Sequence, residues 1–453
     1  MQFDRFDTSQ HHDVLILGGG FAGVYTAYEL QRSLKGTNVS VAMVNRDNSF
    51  VFYPLLPEIV SGAIETESIL NPIRQVVPDV DLYVGEVTGI DIERRQVQIN
   101  HGLYGHRQYP RTLTCDHLVL ALGGIPNTEP VEGLGDHGYD VQRLAHAFSL
   151  RNHLIDTLEQ ADIETDADAK QRLLTYVLIG GGATGVEVAA EIWDLFVEAA
   201  QYYPHVDIDD ISVKLVHGGS RLIPDFPEHL GEYAGKELAS RGIDIRFNER
   251  VTRVSSHWAE LRSGEIIPTQ TVIGSIGLRP NPLITGLGLP HDDRGRVIAN
   301  RDLTIGEYSG VWGIGDNAMI EDPHTGDPYP QTAQHAVRQG KLVAQNIAAS
   351  IGGNPTAAMR YQTRGMMVPL GRRRAVADIR GYTLSGFLAW FMWRTYYLFQ
   401  LPRWAKRVRV AFDWTSGLLF APDIVQLKVG QTTPPGKTAE RQKEHETVGL
   451  VRE

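Results

Sequence analysis

One pattern occurs twice, about 160 residues apart, and nothing else in the chain limits its fold as tightly. Asp13-Val-Leu-Ile-Leu-Gly-Gly-Gly-Phe-Ala-Gly-Val and Tyr176-Val-Leu-Ile-Gly-Gly-Gly-Ala-Thr-Gly-Val-Glu each read as a short buried strand, a glycine-rich turn and the start of a helix. A second strand follows each helix, Val39 to Asn45 in one case and Ile211 to His217 in the other, which makes two βαβ units. The first glycine of each turn, Gly18 or Gly180, permits the tight bend. The second, Gly20 or Gly182, lets a pyrophosphate approach bare backbone, and the third, Gly23 or Gly185, lets the helix lie close on the strand. N–H groups at such a helix start favour an anion. Glycines also close plain strand-to-helix turns, so the weight here comes from the strand–turn–helix context and from the repetition.

The predicted class is therefore α/β, with two Rossmann-like dinucleotide-binding domains, one inserted in the other, followed by a C-terminal amphipathic helical region. Two such sites in one chain suggest a relay, one nucleotide donating electrons and the other holding them. A third signal is Ser309-Gly-Val-Trp-Gly-Ile-Gly-Asp-Asn-Ala, which puts Asp316 after a strand-like run and before a helical one. That carboxylate could accept hydrogen bonds from cofactor hydroxyls, or it could simply cap a helix. The segment Val141 to Ala161 reads as a helix bridging the two domains.

With 453 residues, the chain is long enough for about three domains. Its net charge of −11 excludes a generally basic nucleic-acid binder. A single cysteine, Cys115, excludes an internal disulfide, a paired-cysteine redox centre and a thiolate-rich metal site; no metal site is expected. The first residues carry acids where a secretory signal would be basic, and the N-terminus is expected to face the cytosol. His11 and His12 are neighbours that would point apart on a strand, so a solvated lead-in is expected rather than a metal pair.

Charge is segregated. From Arg360 to Phe412 there are ten Arg and one Lys against one acid, Asp378. This region and the two residues after it hold Trp390, Trp393, Trp404 and Trp414. Phe387 to Phe399 is apolar nearly all round a helix, yet it falls short of the roughly 18–20 residues needed to cross a bilayer. A further helix is expected from about Pro402. It would place Trp404, Val408 and Phe412 on one face, with Arg403, Lys406, Arg407 and Arg409 on the other, a pattern that suits the headgroup plane of an anionic membrane. A terminal helical pair packed on its own core or on a second subunit is the alternative. Lys437 to Glu453 is expected to be a mobile tail.

From about Val14 to Phe420 the chain resembles the type II NAD(P)H:quinone oxidoreductases, membrane-associated, non-pumping flavoproteins with two dinucleotide-binding domains. The resemblance rests on the two glycine motifs, on Phe52-Tyr-Pro-Leu-Leu-Pro-Glu-Ile-Val-Ser-Gly, Leu120-Ala-Leu-Gly-Gly and Gly315-Asp316, on Thr332-Ala-Gln-His-Ala-Val-Arg-Gln-Gly-Lys, and on Ser385-Gly-Phe-Leu-Ala-Trp-Phe-Met-Trp-Arg with Leu401-Pro after it. It implies FAD held by Gly18, Gly20, Phe21, Ala22, Gly23, Asn45, Arg46, Pro54, Leu55, Gly123, Asp316, Ala333 and Gln334. It implies NADH or NADPH held by Gly180, Gly182, Gly185, His217 and Arg221. The implied domains are FAD-binding over 1–135 and 285–350, nucleotide-binding over 136–284, and membrane-associating over 351–453. A homodimer and a peripheral place on the cytoplasmic face of the cell membrane, through 385–420, also follow from the resemblance.

Three positions depart from the family pattern. Asn45 and His217 stand where acids usually end the second strand of each unit, and the usual AQxAxQ motif reads Ala333-Gln334-His335-Ala336-Val337-Arg338. Loss of the acid at His217 removes a repulsion against a 2′-phosphate and leaves both nicotinamide nucleotides open. The expected reaction is hydride transfer from nicotinamide to flavin and then two electrons to a membrane quinone. Glu187 is the candidate proton-transfer group, in about the first turn of the second helix, and Gln334 and His335 are expected to face the quinone. A structural reading stands beside each: Glu187 complementing the helix dipole, and His335 on a plain helix surface. Alternative functions are a pathway-specific quinone reductase of the same fold and a slow-turnover flavoprotein that mainly binds a partner. A disulfide- or sulfide-handling flavoprotein is disfavoured by the lone cysteine.

Overall fold

The computed structural model describes residues 9–101, 109–421 and 423–426. The elements that matter begin with β1 (Ser9–Leu17), α1 (Phe21–Ser33), β2 (Val41–Asn45), α2 (Pro57–Ser61), β3 (Asp81–Val84) and β4 (Tyr109–Leu120). Next come α3 (Leu144–Ile163), β5 (Thr175–Ile179), α4 (Ala183–Ala199), β6 (Ser212–His217), β7 (Asp244–Phe247) and β8 (Thr271–Gly274). The last are β9 (Tyr308–Gly313), α5 (Ala333–Ile351), β10 (Met366–Pro369), β11 (Ala375–Ile379), β12 (Tyr382–Gly386), α6 (Phe387–Gln400) and α7 (Trp404–Ser416).

The chain divides into two compact units. The first takes Met1–Tyr53, Leu70–Ile125 and Leu278–Thr363; the second takes Pro54–Ile69, Pro126–Gly277 and Arg364–Glu453. Side-chain ties explain two of these boundaries. Asn346 of α5 bonds both the carbonyl and the N–H of Ala357, at 2.9 and 2.8 Å, which keeps the residues after α5 in the first unit. Ser61 of α2 donates to the Glu191 carboxylate of α4, which draws α2 into the second. The expected helix at Val141 to Ala161 is α3, inside the second unit.

In the first unit β9, β4, β1, β2 and β3 lie side by side in that order, all parallel, and the paired residues Leu17, Val44 and Leu120 bring the strand ends to one level. The strands are buried on both faces and read as apolar runs: Val14 to Leu17 and Leu118 to Leu120 have no accessible surface. The second unit repeats the plan in four strands, β7-β6-β5-β8, again parallel, with Ile179 paired to Val216 and Gly274. His11 and His12 sit within β1 rather than in a lead-in. His12 is buried and bonds the Tyr83 hydroxyl at 2.8 Å, while His11, pointing the other way, is exposed beside Thr114. Cys115 is buried in β4.

The C-terminal part of the second unit is an antiparallel sheet, β10-β11-β12, on which α6 packs Ala389 and Trp390 against Ala375 and Ala377. The expected tail, Lys437 to Glu453, lies outside the described residues. Among the described residues no helix is long and apolar enough to cross a membrane.

In the first unit α1 and α5 cross backbone to backbone. A Cβ on Gly340 would stand 2.5 Å from the Ala22 carbonyl oxygen and 3.1 Å from the Thr26 nitrogen. Gly340→Ala should therefore destabilise by about 1–3 kcal/mol through overpacking, despite the roughly 1 kcal/mol that alanine gains in an open helix. Urea unfolding should show the midpoint falling with the slope unchanged.

Candidate functional site

The two glycine loops are built alike. Gly18 and Gly180 have φ of +107° and +111°, a region that L side chains rarely adopt. Each donates its N–H to the neighbouring strand, to Val44 at 2.8 Å and Val216 at 2.9 Å. A Cβ on Gly23 would lie 1.9 Å from the Gly18 carbonyl oxygen, and one on Gly185 would lie 1.8 Å from that of Gly180, so each helix rests directly on its own loop. Gly20 and Gly182 are the N-cap residues; neither has a side-chain cap, and a Cβ on either would meet nothing within 4 Å. Both helices thus open on uncapped N–H groups reached through free space, a cradle that fits a pyrophosphate.

Asn45 and His217 also play matching parts. Asn45 Oδ1 accepts the Gly19 N–H at 2.9 Å, and His217 Nδ1 accepts the Gly181 N–H at 3.0 Å. Asn45 donates its Nδ2 to the Asp47 carbonyl at 2.8 Å, so the amide holds the loop as well as closing the strand. Burial keeps the His217 imidazole below its usual range, and with Nδ1 accepting, the proton sits on Nε2. Arg221 donates to the carbonyls of Phe226 and Pro224 at 3.1 and 3.0 Å, so its guanidinium is spent on its own loop. The cation nearest the end of β6 is instead Arg250, exposed, with its Nε 2.9 Å from where a Gly218 Cβ would be. It lies 33 positions beyond β6, out of reach of any local motif.

In the first unit Phe21 stands edge-on to Phe50 at 4.9 Å, Ala22 is buried, and Arg46 is exposed. Gly123 donates to Asn317 Oδ1 at 3.0 Å, and Asn317, without accessible surface, donates to the Leu120 carbonyl at 3.1 Å. Gln339 of α5 accepts the Gly315 N–H at 2.8 Å, and Gln331 donates to the Asp316 carbonyl at 2.7 Å. Asp316 is fixed in a short turn followed by the strand Ala318–Ile320, not by a helix as expected; it caps nothing, and burial raises its pKa. Asn317 and Gln339, each inside a quoted motif but without an assigned role, and Ser275 of the second unit, outside any motif, are positioning residues. Ser275 Oγ donates toward the carbonyls of Ile179 and Gly180 at 3.0 and 3.1 Å.

Pro54 and Leu55 fall in the second unit, in the turn Tyr53–Leu55 that leads to α2. Glu187 lies one turn deeper in α4 than expected, because the helix starts at Ala183. A dipole role is weaker there. Burial, together with the charges of Glu191 and Glu58, raises its pKa well above the usual carboxylate range.

Ala333 is the first residue of α5, capped by Thr332, whose Oγ1 accepts the His335 N–H at 3.4 Å. Gln334 Oε1 accepts the Tyr361 hydroxyl, and the Arg338 guanidinium stacks on the Tyr361 ring at 4.9 Å.

Residues 12–340 match the family model of pyridine nucleotide-disulphide oxidoreductases, and residues 364–423 match the NDH2 C-terminal domain. The chain belongs to the type II NADH:quinone oxidoreductase (NDH2) family. It is an NAD(P)H:quinone oxidoreductase of the non-pumping type. It is 32% identical over 408 residues to the demethylphylloquinone reductase NdbB of Synechocystis, covering 88% of this chain and 95% of that one. To the type II NADH:quinone oxidoreductase of Staphylococcus aureus it is 29% identical over 390 residues, 84% and 92% of the two chains. The fold matches that of NDH2 from Plasmodium falciparum in complex with NADH, with a TM-score of 0.83 at 19% identity, covering 92% of this chain and all of that one.

Within this NDH2 chain, the C-terminal helices correct one expectation, the exposure of Lys406. Trp390, Trp393 and Trp414 turn inward, leaving Trp404 as the exposed one of the four. Lys406, expected on the polar face, is buried and donates to the Glu67 carbonyl. Lys406 is inward because the side of α7 opposite Trp404, Val408 and Phe412 packs inward through Lys406, Val410 and Trp414. The outward face keeps Phe387, Leu388, Phe391 and Phe399 of α6, then Trp404, Val408, Phe412 and the run Leu418 to Phe420.

His335 requires a correction as well. It is 1% exposed, and its two ring nitrogens contact Thr332 Oγ1 at 2.7 Å and Thr363 Oγ1 at 3.2 Å, so the imidazole holds the start of α5 and offers no nitrogen to an acceptor. Burial pulls its pKa down to about 4. The neutral ring is favoured in the folded state, so its contribution is complete above the unfolded pKa of about 6.5 and is lost as pH falls toward 4. The loss comes to about 3 kcal/mol. Thermal melts at a series of pH values should therefore show a shallower acid decline in His335→Gln than in the parent between pH 6.5 and 4.

Proposed function

We propose that this NDH2 chain binds FAD at the α1 loop of its first unit and NADH or NADPH at the α4 loop of its second, and reduces a quinone drawn from a membrane that it meets through α6 and α7. The carrying observation is the pair of uncapped helix starts, each reached through an open glycine. When bound, the flavin supplies the hydride acceptor and passes two electrons on. The chain's residues bind, orient and manage protons. The amides that open α1 and α4 would hold the pyrophosphates, and Asp316, fixed by Gln339 and Gln331, would meet cofactor hydroxyls. Glu187, whose pKa burial and the neighbouring acids raise well above the usual carboxylate range, would hold a proton beside the nucleotide loop. Gln334, oriented by Tyr361, would meet a quinone carbonyl.

The membrane reading rests on exposed Phe387, Leu388, Phe391, Trp404, Val408 and Phe412 in a region rich in Arg. Near anionic lipid each base attracts by about 1 kcal/mol. A peripheral position on the cytoplasmic face, and a homodimer, belong to the same proposal.

Gly20 and Gly182 have φ of −78° and −75° and free space around them, so a valine at either position leaves the fold intact. Wild-type protein should be yellow, bleach anaerobically with NADH or NADPH and recolour with a quinone. Gly20→Val should purify without colour. Gly182→Val should stay yellow and resist bleaching. Colour and bleaching unchanged in both variants would remove the proposal.

Nucleotide choice has its own test. A neutral His217 brings no repulsion to a 2′-phosphate, and Arg250 brings a cation to the end of β6. Arg250→Ala should raise KM for NADPH about tenfold, the equivalent of about 1.4 kcal/mol, with KM for NADH changed less than about twofold.

A further inference from the structure

Beneath the nucleotide loop of the second unit lies a buried cluster that no step above uses. Glu58 of α2 and Glu191 of α4 are 5% and 7% exposed. Trp414 of α7 donates its indole N–H to Glu58 Oε2 at 2.7 Å, and Ser61 donates to Glu191 Oε2. The Arg394 guanidinium of α6 lies between the rings of Trp390 and Trp414, at 4.2 and 4.7 Å from their centres, and its Nε has no hydrogen-bond partner among the described residues. Glu187 sits one turn before Glu191 on the same helix. Glu58 and Glu191 thus share one nearby cation, Arg394.

We propose that Glu58 and Glu191 act as a positioning pair that holds one proton between them and sets the proton affinity of Glu187, with Arg394 and Trp414 of the C-terminal helices fixing how firmly that proton is held. The inference rests on the role given to Glu187 above.

Other charged groups around the pair act on it too, Asp194 on Glu191 and Asp413 on Glu58. Asp194, the next acid on α4, pairs with Arg241 and accepts the Arg372 N–H at 2.9 Å, and its charge adds to the rise of Glu191. Asp413 on α7 accepts from Ser68 at 2.7 Å. Arg373 adds a weaker positive influence on Arg394, and the Tyr397 phenol of α6 is raised first by burial and then by the charge of Glu187. Burial raises both members of the pair. Arg394 and the Trp414 bond draw Glu58 back down, while the charge of Glu58 helps push Glu191 up to about 8. Glu58 therefore ionises first, and the pair keeps its second proton into the neutral range. Each charge on the pair in turn makes Glu187 harder to ionise.

Trp414 reports on the pair without any turnover, because its indole N–H bonds one member. The pH dependence of fluorescence, taken as wild type minus Trp414→Phe, should show a step with a midpoint near 8. Glu191→Gln keeps the shape and the Ser61 bond and should abolish that step. Arg394→Met should move it upward, since the lost cation favours the anion. In the pH profile of kcat, the limb that Glu187→Gln removes should shift downward by at least about half a unit in Glu191→Gln.

A wild-type fluorescence step that is absent, or one that survives Glu191→Gln, overturns the shared proton. A step that disappears with Glu191→Gln while the kcat limb stays fixed overturns the control of Glu187. If Glu187→Gln itself leaves the kcat profile unchanged, the role of Glu187 fails, and the control exerted through the pair fails with it. The fluorescence step then reports on the shared proton alone. An Arg394→Met variant that fails to fold is replaced by Arg394→Lys, which keeps the charge and should leave the midpoint within about half a unit of wild type; a larger displacement overturns the assignment of the cation.

Discussion

Everything at the two nucleotide loops depends on one close approach, the third glycine resting on the carbonyl oxygen of the first. At 1.9 and 1.8 Å from where a Cβ would be, these oxygens leave room for hydrogen alone. The contact sets each helix directly over the end of its strand, so that its unbonded N–H groups project past the sheet. Had the helix begun a residue later or stood further off, a capping side chain could have reached those groups and the site would be closed. The parallel strands serve the same end. Leu17, Val44 and Leu120 finish at one level in the first unit, as do Ile179, Val216 and Gly274 in the second, and each loop leaves a flush edge.

That arrangement explains the departures at Asn45 and His217. A residue at the end of the second strand has a task before any ligand arrives: it must accept the N–H of the middle glycine. A carboxylate, an amide oxygen or a neutral imidazole nitrogen can each accept, and here the latter two do so at 2.9 and 3.0 Å. What changes is the charge presented outward. An uncharged pair of residues keeps the loops in shape while relaxing electrostatic selection among nucleotides, which moves any discrimination to neighbours such as Arg250.

The repeated motif made the strand, turn and helix of each unit legible, because glycine spacing and apolar runs are local signals. The strands fell within two residues of their expected limits at β2 and one residue at β6. What stayed hidden was decided across long separations. Asn317 and Gln339 sit in quoted motifs, and Ser275 does not, but the roles of all three come from side-chain bonds to distant backbone that leave no spacing to recognise. The face of Trp404, Val408 and Phe412 is exposed as expected, yet Lys406, expected on the polar face, lies inward with Val410 and Trp414. Amphipathic pattern gives two faces and cannot say that one of them meets Glu58 and Glu67. His335 misled for a similar reason. Its place in a motif suggested contact with an acceptor, whereas Thr363, distant in sequence, closes off its second nitrogen.

The buried acids of the second unit remain the least economical part of the molecule, and for that reason an informative one. Buried charge costs several kcal/mol per ion unless it is paired, and apolar residues of like volume would often do as well or better. One guanidinium faces both Glu58 and Glu191, burial raises both, and Glu191 is pushed up to about 8. The helices that bring this guanidinium and the indole into the cluster also carry the outward apolar face. Seating these helices and fixing the proton content of the cluster are then a single packing event: the cation cannot withdraw without exposing Trp390 and Trp414, and the acids cannot ionise fully without it. A core built only for stability would have no need of such a linkage, whereas the proton role proposed for Glu187 would.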